Sequence, residues 1–135
     1  MISSLPSHLL NNASVRGKEY AWPLELIPSV IESCKAAGLV SLGGQPQFRL
    51  PSGTCECYWV AVDTRTQIDT GREWDDLVSR SASIALRQFE TLKSKFNFEE
   101  EGRKAFASSF SQLESAGGAP KDHACFVWYA RDRDS

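Results

Sequence analysis

Hydrophobic positions along this chain fall into a few clear periods. Leu24, Ile27, Val30, Ile31 and Cys34 recur every three or four residues, the spacing of one face of a helix. Pro28 lies inside the run, so the regular helix is expected to start near it, and Gly38 is a natural stop. Leu39–Leu42 is a short apolar run interrupted by Gly43-Gly44. Gln47–Leu50 follows as an extended segment in which Pro46 favours an edge or a bulge. Pro51-Ser52-Gly53 is strong turn chemistry, and Thr54–Val62 is rich in β-branched and aromatic residues. These two segments are expected to pair as a hairpin.

A second helical period is longer. Trp74, Leu77, Val78, Ser81, Ile84, Ala85, Phe89, Leu92 and Phe96 mark one face of a helix running to about Lys95. Thr70-Gly71-Arg72-Glu73 reads as its capping box, with Thr70 as the cap. Asn97 begins another helix, carrying Phe98, Phe106, Phe110 and Leu113 and weakened by Gly102. Ala124–Ala130 closes the pattern as a strand. The order α-β-β-β-α-α-β predicts an α+β fold: a mostly antiparallel sheet of about four strands with helices packed on one face. Residues 1–19 read as an irregular lead-in with one helical turn near His8–Asn11. Residues 20–130 read as a single domain and 131–135 as a charged tail.

Composition changes this picture little. Charged residues make up 24% and apolar ones 41% of 135 residues, an ordinary globular balance that needs no metal or disulfide for a core. The net charge of -2, with both signs interspersed, lacks the basic footprint of a nucleic-acid binder. The sequence shows neither a secretory signal nor a membrane-length apolar run, and four cysteines fit a reducing cytoplasm.

Several residue groups invite chemistry. Cys55, Cys57, His123 and Cys125 offer a Cys3His metal set, but residues i and i+2 of a strand lie about 7 Å apart, too far for two thiolates on one zinc without a turn. The same spacing separates Cys125 from His123 as a nucleophile and base. Carboxylates at Glu73, Asp75, Asp76 and Glu99–Glu101 fall at expected helix N-termini, where the helix dipole explains them. Gly43-Gly44 lacks any phosphate-loop continuation and reads as a bulge or a close backbone approach. The residues therefore point to no catalysis and no cofactor. Aromatic residues remain: Tyr20, Trp22, Tyr58, Trp59, Trp74, Trp128 and Tyr129 can be core residues or interface anchors.

Taken in order, several of these pieces resemble a known family. They are Tyr20-Ala21-Trp22, Gly38-Leu39-Val40, Leu42-Gly43-Gly44, Tyr58-Trp59-Val60, the stretch from Glu73-Trp74 to Ser81, and Cys125-Phe126-Val127-Trp128-Tyr129. Over about residues 20–130 the chain resembles bacterial polymorphic-toxin immunity proteins of the group called immunity protein 40. The resemblance implies a cytoplasmic antitoxin of interbacterial competition that binds a cognate toxin and blocks it sterically, without catalysis. Trp22, Trp59 and Trp74 are the expected anchors, with Glu56, Asp75 and Asp76 as charged neighbours. The alternative is a small-molecule-binding domain or enzyme with a pocket near Gly43-Gly44 and Trp59. A third reading is a homodimer formed through a sheet edge, against which Pro46 argues.

Overall fold

The structure is a computed structural model, and it describes residues 5–68 and 71–133. Along the chain run α1 (Ser7–Leu10), β1 (Ser14–Arg16), β2 (Glu19–Trp22), α2 (Ile27–Ala36), β3 (Val40–Leu50), β4 (Gly53–Glu56) and β5 (Val62–Asp63). Then come α3 (Trp74–Lys95), α4 (Phe98–Ala105), α5 (Ala107–Ser115) and β6 (Ala124–Arg131). The fold is α+β. The strands form one antiparallel sheet in the order β1-β2-β6-β3-β4, with β5 also paired to β3. Among the described residues six strands replace the four expected.

Alternate residues of each strand face opposite sides of this sheet. Trp22, Phe48, Leu50, Cys55, Phe126 and Trp128 point to the helical side, where they pack with Ile27, Val30 and Ile31 of α2, Ala85 and Phe89 of α3 and Phe110 of α5. Phe126 is at the centre, 5.2 Å edge-on from Phe89 and 6.1 Å from Trp128. α2 ends as its sequence implies: Gly38 has φ 75°, and the Leu39 amide donates to the Cys34 carbonyl at 2.8 Å, closing the last turn. α3 begins at Trp74 with no side-chain cap from Glu73, and Thr70 lies outside the described residues. Asn97 caps α4 through its side-chain oxygen, which accepts the Glu100 amide at 3.1 Å.

Four local expectations need correction. The stretch before residue 20 is not an irregular lead-in throughout. Leu5 and Leu9 enter the core, and β1 pairs with β2 across the Gly17-Lys18 turn. Tyr20 and Trp22 thus belong to a strand. Gly43-Gly44 does not interrupt a strand either, because β3 runs unbroken from Val40 to Leu50, with a bulge between Ser41 and Gly43. A Cβ on Gly43 would sit 2.0 Å from the Val62 carbonyl oxygen, and one on Gly44 would sit 1.7 Å from that of Val127. Neighbouring backbones on both sides require these glycines. Finally, the helix from Phe98 breaks at Phe106 (φ -128°, ψ 44°) into α4 and α5.

The fourth correction shapes the functional surface. The strand expected over Thr54–Val62 stops at Glu56 and resumes only at Val62. Pro46 is the cause. A strand residue presents its N–H and C=O to the same neighbour. The Pro46 carbonyl faces the β4 side, where it accepts the Cys57 amide at 3.0 Å. Proline has no N–H to return the bond. The β3–β4 ladder ends there, and residues 57–61 swing out as a turn closed by the Val60 amide on the Cys57 carbonyl at 3.2 Å.

Candidate functional site

That turn carries the two most prominent exposed aromatics. Tyr58 is 71% exposed and Trp59 48%; Val15 on β1 is the other large apolar side chain so exposed among the described residues. Cys57 and Val60 on either side are fully buried, so the turn is pinned at both ends while its tip faces solvent. Trp59 is also held in place. Its indole N–H donates to Glu101 Oε1 of α4 at 2.8 Å, and its ring lies 6.3 Å from that of Phe106. The helix break at Phe106 and the ladder stop at Pro46 together build a fixed aromatic ledge.

The ledge borders the sheet face that no helix covers. Ser14, Arg16, Glu19, Ala21, Gln45, Gln47, Arg49, Thr54, Glu56, Cys125, Val127 and Tyr129 share this face by register. The sheet curls here, because Arg16 of edge strand β1 reaches β4 at the opposite edge, donating to Thr54 Oγ1 at 2.9 Å and to the Leu50 carbonyl at 3.3 Å. Ala21 and Val127 are fully buried at the bottom of the curl. Above them lies a polar lattice around Gln47, which is 1% exposed. Gln47 Nε2 donates to Glu19 Oε1 at 2.9 Å and also to Glu56 Oε2. Its Oε1 accepts from Arg49 Nε at 3.0 Å. The Tyr129 hydroxyl donates to Glu19 Oε2 and accepts from Gln45 Nε2 at 3.2 Å. Arg49 extends the lattice to Ser14 Oγ at 3.1 Å and to the Glu19 carbonyl at 3.2 Å.

Charges of both signs share this corner, the Glu19 and Glu56 carboxylates with the Arg16 and Arg49 guanidiniums. Burial, and then the Glu19 carboxylate, push the Tyr129 phenol up to about 12. Glu56 raises the Tyr58 phenol. Burial drives the Cys57 thiol up to about 11, with Glu101 and Glu56 adding to the effect. Such a thiol is protonated near neutral pH and is a poor nucleophile. Cys34 and Cys125 are raised chiefly by burial as well. Cys55 belongs to the helical-side core and Cys125 to the opposite face, so the sheet itself separates two of the thiols considered for a metal.

The anchors named from sequence are dispersed. Trp22 is fully buried, its indole N–H donating to the Leu9 carbonyl at 2.9 Å, so it is a core residue and presents nothing to a partner. Trp74 lies at the far end of the sheet, donating to the Gly38 carbonyl at 2.9 Å beneath the Arg131 guanidinium, 5.1 Å from its ring. Asp75 and Asp76 are exposed beside it in the first turn of α3. Of the six, only Glu56 and Trp59 fall at the ledge. The structure adds Glu19, Gln45, Gln47, Tyr58, Glu101 and Tyr129 to them. A cavity of about 370 Å3 does lie by Gly43, Gly44, Gln45 and Tyr129, but Trp59 does not line it. Among the described residues no helix is long and apolar enough to cross a membrane. Comparison with protein-family models, curated proteins and solved structures finds no match to this chain.

Proposed function

We propose that this chain is a binding protein of the immunity class, which engages a toxin domain through the Tyr58-Trp59 ledge and blocks it sterically. The observation that carries the reading is the ledge itself: two large aromatics held outward on a turn whose neighbours Cys57 and Val60 are buried. Burying the exposed parts of these side chains against a partner would remove about 250 Å2 from water, worth up to about 6 kcal/mol at 25 cal/mol per Å2. Much of the ordering cost of Trp59 is met before binding by its bond to Glu101. The order of motifs that resembles immunity protein 40 supports the same class, and the raised thiols give nucleophilic catalysis no support.

The test is co-expression. Where a toxin domain is encoded beside this gene, cells making it should regain growth when this chain is supplied, and should lose that protection with the Tyr58→Ala/Trp59→Ala double variant. Growth that stays arrested, with no complex recovered from the cells, would overturn the proposal. The cavity beside Gly43 and Gly44 has a separate reading as a small-molecule site, and altering its rim by Arg65→Ala should leave rescue intact if the ledge is the contact.

A further inference from the structure

The uncovered face has a second feature, at the end where β6 begins. An open cavity of about 400 Å3 lies there, lined by Arg16 of β1, Arg49 of β3, and His123 and Cys125 around the start of β6. Its polar groups are rich in donors. Arg16 uses only Nη1 within the protein, on Thr54 Oγ1 and the Leu50 carbonyl, so its Nε and Nη2 stay free. Arg49 bonds to Gln47, to Ser14 and to the main-chain carbonyl of Glu19, all neutral acceptors. Among the described residues neither guanidinium forms an ion pair. Among the same residues the half-buried His123 imidazole and the Cys125 thiol, 7% exposed, have no hydrogen-bond partner.

The carboxylates of this face do not neutralise the cavity. Glu19 and Glu56 are not among its lining residues, and Asp122, which is, lies exposed, where solvent and salt screen it. Burial raises the Cys125 thiol; of the charges that act on it, Arg49 and then Arg16 lower it and come ahead of Glu19, which raises it. The two arginines thus dominate the charge felt at this buried wall. Donors that converge from three strands suit a tetrahedral oxyanion, whose oxygens point in three directions, better than a planar carboxylate. A guanidinium can hold two oxygens of such a group at once. The volume leaves room for a small organic body beside the anion, with Ala13, Pro23 and Ala124 as its apolar wall.

We propose that this cavity binds a phosphate monoester of a small molecule, its phosphate seated between the Arg16 and Arg49 guanidiniums with His123 and Cys125 as the remaining donors. Neither Tyr58 nor Trp59 lines the cavity, so the site stands or falls independently of the partner-binding reading above. A ligand held by Arg16 and Arg49 also ties β1 to β3 across the seam that these side chains already bridge, and binding to the folded state alone stabilises it.

The test is calorimetric titration of the whole chain in a phosphate-free buffer at low salt, with glycerol 3-phosphate, inorganic phosphate, glycerol and succinate as probes. Glycerol 3-phosphate should bind one-to-one and raise the melting temperature, inorganic phosphate should bind more weakly, and glycerol should not bind. Affinity for glycerol 3-phosphate should fall about tenfold in Arg16→Gln and again on raising salt from about 20 to about 200 mM. Arg80→Gln, altered on the exposed side of α3, should bind as the parent does. Thermal melts confirm that each variant is folded; should Arg16→Gln not fold, His123→Gln serves in its place, with a loss of about threefold. Absence of saturable glycerol 3-phosphate binding would overturn the proposal, as would binding unchanged in both Arg16→Gln and His123→Gln. Succinate binding more tightly than glycerol 3-phosphate would overturn the assignment to a phosphate.

Discussion

Replacing Gln47 by leucine tests whether the polar lattice holds the uncovered face together. Gln47 is buried, and its three side-chain bonds all go to charged groups: Glu19, Glu56 and Arg49. Hydrogen bonds to charged groups contribute about 1.5–3 kcal/mol each when fully buried. Here the three charged partners are only half-buried and can recruit water in the variant, so the lower end applies. The expected loss is about 4–5 kcal/mol, a large share of the 5–15 kcal/mol typical of a small domain. Urea unfolding at pH 7, followed by far-ultraviolet circular dichroism, should show a lower midpoint with an unchanged slope. Neutralising one carboxylate should return part of the loss. Gln47→Leu combined with Glu56→Gln should be less destabilised than the sum of the single changes by about 1 kcal/mol. A loss below about 1 kcal/mol for Gln47→Leu would refute the reasoning. So would strict additivity of the pair, because the amide would then not mediate between the two acids.

Three further outcomes follow from the same geometry. Gly44→Ala should cost more than about 4 kcal/mol and leave little folded protein, because its Cβ would lie 1.7 Å from a carbonyl oxygen of the adjacent strand; a melt within a few degrees of the parent would contradict this. The native chain should resist iodoacetamide at pH 8, and mass spectrometry should find all four cysteines modified only after urea is added, since burial raises every thiol. Tyr129 should make the fold alkali-sensitive. Its folded value of about 12 exceeds the ordinary 10, so its contribution is full below pH 10 and is lost as pH rises toward 12. Thermal melts from pH 8 to 11.5 should fall less steeply in Tyr129→Phe than in the parent; parallel curves would count against it.

The helices and β6 were legible because their burial is one-sided and periodic, as Leu77, Val78, Ser81, Ile84, Ala85 and Phe89 of α3 illustrate. β1 was not, since all three of its residues are exposed and Val15, its single apolar residue, makes no period. Pro46 and the glycine pair suggested a bulge, which is present, but not a single strand of eleven residues through them. Continuity there depends on the paths of β5 and β6, both distant in sequence. The site was legible only in part. Trp59 and Glu56 could be named, whereas Trp22 has the same residue type and the opposite fate, because it faces the helical-side core, where the Leu9 carbonyl accepts its indole N–H. Gln47 is an ordinary strand residue by composition. Its role emerges only when β2, β3, β4 and β6 bring Glu19, Arg49, Glu56 and Tyr129 around it.

The most direct test of the central claim is calorimetric titration of the proposed partner, a candidate toxin domain sought among the neighbouring genes, with the parent chain, Tyr58→Ala and Trp59→Ala. A ledge that anchors the complex predicts one-to-one binding of the parent and losses of about 2 kcal/mol or more, roughly thirtyfold in Kd, for each variant, with unchanged thermal stability for Tyr58→Ala. Parent-like affinity in both variants, or no binding by the parent chain, would contradict it.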